Sequence, residues 1–327
     1  MHHLTLDQRC HIEELVSSGL SLRKIAALVG VHASTICREL KKNTGRRYNY
    51  VLADKISAAR RHQASSRFKK IKGDLEKRIV EGLCQLWSPD QISGRLKLEG
   101  ICISHEAIYQ YARKNNLRCN LRHRGKKYKA KKESQAGIKH IPNRVDISTR
   151  PDIVNQKARI GDWEGDTVIS HNSRHALLTL VDRHSKYTII RKIGQKKAEH
   201  VTEAAIKALK KLKLPVHTIT FDNGGEFAQH AELTEKLKAA IYFARPYKSC
   251  DRGLNEHTNG LIRQFLPKKF DFKDVPDHNI QIIEDFLNHR PRKVLNYLAP
   301  VEVISLYNRC CNSFLKGRIS YDQRRNP

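Results

Sequence analysis

The chain has 327 residues and carries 62 Lys and Arg against 33 Asp and Glu, a formal net charge of +29. That excess predicts a polyanionic partner, nucleic acid or an anionic membrane surface, while no apolar run reaches the roughly 18 residues a bilayer-spanning helix needs. The opening residues hold no apolar export signal, and eight cysteines scattered without a Cys-x-x-Cys pair predict free thiols in a reducing, cytoplasmic setting, not a disulfide scaffold or a zinc site.

The charge is uneven: residues 1–150 hold 32 basic and 13 acidic side chains, against 30 and 20 over residues 151–327. The first half is therefore the predicted docking region, beginning with a domain over residues 1–50. Leu6, Ile12, Leu15 and Val16 make an apolar stripe that closes at Ser18-Gly19. Ser21 is placed to cap a second helix with Ile25, Ala26 and Leu28 turned inward, and Gly30 permits the sharp turn after it. A third helix over 33–42 packs through Ile36 and Leu40 and leaves Ser34, Thr35, Arg38, Lys41 and Lys42 on its opposite face. Two helices, a glycine turn and a final helix bearing basic and hydroxyl groups are how a helix-turn-helix enters the major groove of DNA, with Arg38 suited to reading a guanine.

Residues 51–115 read as a second helical, helix-turn-helix-like region. Leu75, Ile79, Leu83 and Leu86 mark one helix, Ser88-Pro89-Asp90 begins another with Ile92, Leu96 and Leu98, and Ser104 caps a third with Ile108, Tyr109 and Tyr111. It is either a second reading head or a set of packing helices. Residues 116–150 form a basic linker; Arg118 to Lys132 carries eight Lys or Arg and no acid, which suits an extended segment tracking a DNA backbone.

Residues 151–327 change character to a mixed α/β domain. Strand-like runs over 162–169, 176–181 and 187–190 predict an antiparallel meander; a helix over 198–212, a strand over 217–221 and a further helix, strand and helix complete the order. Asp166 lies in the first strand, Asp222 at the carboxyl end of the fourth, and Glu256 at the start of a helix facing the sheet. Carboxylates held together repel unless cations lie between them, and oxygen donors suit Mg²⁺, with Mn²⁺ able to substitute. Two such ions roughly 3.5–4 Å apart activate a water or a 3′-hydroxyl on one side of a phosphorus and stabilise the leaving oxygen on the other. Asp162, Glu164 and Asp166 share one strand face, so the period of two leaves all three open as the first ligand.

Asn255, Asn259 and Arg263 are spaced to hold a scissile strand near Glu256, and Arg252 to touch a phosphate. A helix with Ile282, Ile283, Phe286 and Leu287 is stopped by Pro291, leaving Arg290, Arg292 and Lys293 as a basic corner for DNA or a plain helix stop. Trp163 reads as a core aromatic, and His257 as a second-layer or DNA contact in preference to a general base.

On Trp163-Glu164-Gly165-Asp166, Asp222-Asn223-Gly224 with Glu226-Phe227, Arg252-Gly253 with Asn255-Glu256 and Thr258-Asn259-Gly260-Leu261, and Arg290-Pro291-Arg292-Lys293, the chain resembles transposases of the insertion-sequence-thirty family. These are bacterial mobile-element enzymes with a retroviral-integrase-like, ribonuclease-H-like core, and the likeness runs over nearly the whole chain. The 33 residues between Asp222 and Glu256 are its most specific part. The resemblance implies that Asp166, Asp222 and Glu256 are the metal-binding catalytic triad, expected to hold two Mg²⁺ per site. It implies recognition of terminal inverted repeats by the N-terminal part, donor cleavage and strand transfer into target DNA, and a homo-oligomer on paired ends. In two places the chain departs from the pattern: Asp162 stands where a His is expected, and Cys250 where an aromatic is usual. The competing reading is a sequence-specific DNA-binding regulator that has lost catalysis, which the first half fits equally well.

Overall fold

The computed structural model describes residues 3–43, 47–67, 71–122, 141–171, 173–245 and 253–310. Arg252, Cys250 and most of the basic stretch from Arg118 to Lys132 lie outside them. The chain divides into two compact units, Met1–Lys77 and Arg78–Pro327.

The first unit contains α1 (Leu6–Ser17), α2 (Leu22–Val29), α3 (Ala33–Asn43) and α4 (Tyr50–Arg67). Thr5 and Gln8 close a reciprocal capping box on α1, which satisfies two amides that the first turn leaves unbonded. Ser21 caps α2 through the amide of Lys24, and Gly30 ends it at φ 73°, a left-handed conformation that glycine adopts without a Cβ clash. Ile12, Ile25, Ala26, Val29 and Ile36 form the core. Two expected core residues lie outside it: Leu6 and Leu28 are exposed, their places taken by Leu4 and Val29. The helices are also pinned by a polar centre. Buried Arg9 on α1 donates to Glu39 on α3 at 2.7 Å, to Asp54 on α4 at 2.8 Å and to the Leu4 carbonyl at 2.8 Å.

Three helices open the second unit: α5 (Asp74–Cys84), most of which lies in it, α6 (Pro89–Leu98) and α7 (His105–Lys114). Ser88 with Gln91 makes a capping box on α6, with Pro89 in its first turn, and Ser104 caps α7. Leu98, an expected core residue, is exposed. The α6 surface packs on the chain near residue 300. Arg95 grips Glu302 through two bonds of 2.7 and 2.8 Å, and Gly94 lies so close to Tyr297 that a Cβ there would stand 2.3 Å from the ring.

After α8 (Asp152–Asn155) comes the sheet: β1 (Asp162–Ile169), β2 (Ala176–Asp182), β3 (Thr188–Ile193), β4 (Thr218–Phe221) and β5 (Ala240–Phe243), in the order β3-β2-β1-β4-β5. The first three strands are antiparallel, while β4 and β5 run parallel to β1, each reached through a helix: α9 (Ala198–Leu212) and α10 (His230–Leu237). One face is filled by Trp163, Leu178, Leu180, Ile219, Phe221 and Phe243 with Val201, Ala205 and Leu209 of α9. The other packs Val168, Leu177 and Ile190 against α11 (Gly253–Phe265) and α12 (Asp277–His289) through Leu261, Ile262, Ile283 and Leu287. Each large side chain so buried contributes about 1.5–3 kcal/mol. Trp163 is fully buried, as a core aromatic should be. This is the expected mixed α/β layout with helices on both faces, preceded by an all-α helix-turn-helix region.

Both edges of the sheet are covered. Along β3, Asn288 of α12 bonds the amide and the carbonyl of Thr188, each at 2.8 Å, and Glu284 accepts from the Ile190 amide at 2.6 Å. At β5, the Phe243 amide donates to the Val145 carbonyl at 2.9 Å, and Asp146 bridges to Phe243. Covered edges give a neighbouring chain no row of free backbone groups to pair with.

Candidate active site

The β1–β4 register pairs Asp162 with Thr218, Trp163 with Ile219 and Glu164 with Thr220. Carried two residues further with the same offset, it sets Asp166 beside Asp222, which follows the last residue of β4. The approach depends on Gly165. A Cβ built on it would lie 2.1 Å from the Phe221 ring, and Phe221 directly precedes Asp222. We expect Gly165→Ala to separate β1 from β4, to cost about 1–3 kcal/mol in a urea titration, and to lower any activity of the site by more than that loss of folded protein explains.

The three acids of β1 have different surroundings. Asp162 is fully buried and accepts from Arg159 at 3.0 and 3.2 Å and from Thr218 at 2.9 Å. Glu164 is buried against the Arg183 guanidinium, which also donates to the Val154 carbonyl. Burial pushes the Glu164 carboxyl up, against the pull of Arg183 and Arg150. Asp166 is partly exposed. Its Oδ1 accepts from the Thr167 amide at 2.9 Å, and its Oδ2 from Asn259 on α11 at 2.8 Å. The Asn259 amide is oriented in turn by Thr179, whose hydroxyl donates to its Oδ1 at 3.2 Å.

Asp222 is fixed by a turn, its Oδ1 accepting from the Gly224 amide at 3.0 Å. The next residue, Asn223, donates to the Ala244 carbonyl at 2.8 Å and accepts from Arg144. Glu256 sits exposed in the first turn of α11. Among the described residues, no three His, Cys, Asp or Glu side chains stand close enough together to hold a metal ion. By register, Asp166 midway along β1 is level with Asp222 just past the end of β4, and among the described residues Glu256 is not gathered with them into a three-carboxylate cluster.

The other predicted residues spread along α11 and beyond. Asn255 is fully buried, and neither its side-chain nitrogen nor its oxygen has a hydrogen-bond partner. Arg263 turns away along the sheet, donating to the Ile169 carbonyl at 2.7 Å and lying over the Phe272 ring at 5.3 Å. His257 is held down to about 4 by desolvation and by repulsion from Arg122, Arg292 and Arg290. Lys293 is exposed, but Arg290 and Arg292 are only 4% and 7% exposed, so they do not form an open basic corner. Proline stops α12 before the chain turns inward, and the two guanidinia follow it. The sequence reading assigned no role to Glu226, a buried carboxylate that accepts from Thr167 at 2.9 Å and pairs with Lys196 at 2.6 Å, next door to Asp166. Its signal was its place in the motif after Asp222-Asn223-Gly224.

In the first unit, Ser34 and Thr35 are half-buried at the start of α3, while Arg38, Lys41 and Lys42 are exposed. Arg38 donates to Ser34 at 3.2 Å and so lies along the helix face. Arg38→Ala should reduce the preference for a cognate over an unrelated duplex by about tenfold, the effect of one guanine contact, in paired Kd measurements; an unchanged ratio rules Arg38 out as a base reader.

Comparison with known proteins agrees with both units. A family model described as a helix-turn-helix domain matches residues 1–43, and one described as an integrase core domain matches residues 156–249. The transposase for insertion sequence element IS4351 of Bacteroides fragilis is 44% identical over 309 residues, covering 92% of this chain and 94% of its own. Transposase InsI for element IS30C of Escherichia coli K12 is 35% identical over 324 residues, 92% of this chain and 83% of its own. Among solved structures, the catalytic core domain of BIV integrase covers 46% of this chain and 98% of its own at 17% identity, with a TM-score of 0.38, too low to carry weight. The chain belongs to the family of bacterial insertion-element transposases that includes the IS30 enzymes. No helix among the described residues is long and apolar enough to cross a membrane.

Proposed function

We propose that this protein binds the terminal inverted repeats of a mobile element through its first unit and cuts and joins DNA at Asp166, Asp222 and Glu256, working as a homo-oligomer on paired ends. The observation that supports the reading is the parallel register of β1 and β4, whose offset, carried two residues past its last pair Glu164–Thr220, brings Asp166 level with Asp222, in a chain of the transposase family. Two anionic oxygen donors side by side fit Mg²⁺ or Mn²⁺, and two ions per site is the number such chemistry uses. Glu256 is three residues before Asn259 on α11, so the two share a helix face, and Asn259 already touches Asp166. Completing the triad takes a movement of the Glu256 side chain and the first turn of α11.

When bound, the ions supply an activated water or 3′-hydroxyl and a stabilised leaving oxygen. The chain's own groups orient the parts: Asn259 and the Thr167 amide hold the Asp166 carboxylate, the Gly224 amide holds Asp222, and Arg252 is the cation assigned to the strand to be cut, while the buried Asn255 and the turned-away Arg263 support α11 instead. Ser34, Thr35, Arg38, Lys41 and Lys42 dock α3 in the major groove.

The test incubates the full chain with end-labelled duplex carrying the repeats of the element that encodes it, in Mg²⁺, Mn²⁺ or EDTA. Nicking and strand transfer are expected with either metal and absent in EDTA, and both should be lost in Glu256→Gln while binding is kept. Joining by Glu256→Gln would reject the triad, and specific binding without cleavage in any metal would leave the non-catalytic regulator standing.

A further inference from the structure

Arg290 and Arg292 enter the interior just after α12. Arg290 Nε donates to Gln91 of α6 at 2.9 Å, and Arg292 Nη2 to the Leu287 carbonyl at 2.9 Å, but the buried Arg292 Nε has no hydrogen-bond partner. A third guanidinium completes the group. Arg122 reaches over α11 at Gly260, where a built Cβ would be 2.7 Å from its Nη2. His257, one turn earlier on α11, feels all three.

Among the described residues, no carboxylate acts on Arg290 or Arg292. Burial, then the neighbouring cations, pulls Arg290 down to about 9 and Arg292 to about 10. Like charges collected out of water with no counter-ion are costly. Such a group is a stable feature of a working protein when an anion is part of its working state. Guanidinia match the geometry of phosphate oxygens, two bonds at a time.

We propose that Arg122, Arg290 and Arg292, with His257 at their edge, form a pocket for one backbone phosphate of DNA, one or two nucleotides from the phosphodiester that is cut. The distance rests on the function proposed above for Glu256. Gly260 is four residues past Glu256, hence on the same face of α11 and about 6 Å along it. Phosphates of one strand succeed each other by about 3.4 Å along the duplex axis, so a strand reacting at Glu256 presents its next or second phosphate to the pocket. Inorganic phosphate has the same chemistry, and the net charge of +29 in a chain of the transposase family favours the DNA backbone as its source.

The experiment uses the full chain and a terminal-repeat duplex in which single phosphates around the cut are replaced by uncharged methylphosphonates. Wild type is expected to lose about tenfold in affinity, the size of one charge-assisted contact, at a position one or two nucleotides from the cut. Arg122→Ala, at an exposed residue whose loss spares the fold, should bind unmodified DNA about tenfold more weakly. It should lose nothing further at that methylphosphonate, and its plot of log K against log salt should be shallower by about one. Arg292→Lys should behave in the same sense. Additive losses, an unchanged salt slope or a sensitive phosphate far from the cut would overturn the pocket. So would a rise in Tm with inorganic phosphate that Arg122→Ala lacks, unaccompanied by any methylphosphonate effect, which would mean an adventitious ion only. Glu256→Gln is mapped in parallel: if it still joins DNA, the triad fails, while an unchanged methylphosphonate map keeps the pocket.

Discussion

Asp166→Asn is expected to fold and to bind element-end DNA as wild type does, and to join that DNA about 10³-fold more slowly or worse. The amide keeps the shape of the carboxylate and an oxygen for the Thr167 amide, and gives up only the bond from Asn259, whose NH2 now faces another NH2. What it loses is the negative charge that the proposed pair of divalent cations would need beside Asp222. Single-turnover joining of a labelled end, set against urea unfolding of the same variant, separates chemistry from stability. Glu164→Gln is the control, because that carboxylate is buried against Arg183. If Asp166→Asn joins at the wild-type rate while Glu164→Gln, at equal stability, does not, the first ligand of the site has been misassigned.

Arg183→Ala carries the largest expected effect on stability. Arg183 and Glu164 are 5% and 2% exposed, and removing one member of such a pair leaves the other charge buried alone, at a cost of about 3–5 kcal/mol. Both tryptophans, Trp87 and Trp163, belong to the second unit, so their fluorescence follows its urea transition. The loss should also depend on pH. Burial already pushes the Glu164 carboxyl up, and without Arg183 that push is less opposed. A carboxyl raised in the folded state binds its proton more tightly there than in the unfolded chain, so the stability it confers is present at low pH and lost as pH rises. Arg183→Ala is therefore expected to be closer to wild type at pH 5 than at pH 8. An equal deficit at both, or a deficit under 1 kcal/mol, would mean that the pair is not what holds β1 in place.

Much of this architecture is local information. Ser21, Ser88 and Ser104 were readable as caps because a hydroxyl three residues ahead of an amide needs no partner from elsewhere, and Gly30 as a turn for the same reason. The strand and helix order of the second unit followed from periods of two and of nearly four. What escaped was set by partners far along the chain. On short α2, an inward arc covers only some of the apolar positions, and it is α1 and α3 that choose Val29 over Leu28. Nothing local to Arg9 signals its burial, which is set by Glu39 and Asp54 on other helices. Arg290 and Arg292 looked like a solvent-facing corner, since nothing in Arg290-Pro291-Arg292 reveals that α6 covers it. The site shows the same division. Asp222 was visible from its strand end and turn, whereas choosing among Asp162, Glu164 and Asp166 needed the neighbours that engage the first two.

The chain that emerges from the basic stretch is stitched to the β5 edge at Val145 and Asp146, and one residue earlier Arg144 grips Asn223. That makes the segment a tether. A pull on it is resisted by backbone bonds at the edge and is delivered, through one side chain, to the residue adjoining Asp222. The placement of residues 144–146 and the aim of that aspartate are therefore not independent variables, since a single guanidinium joins them.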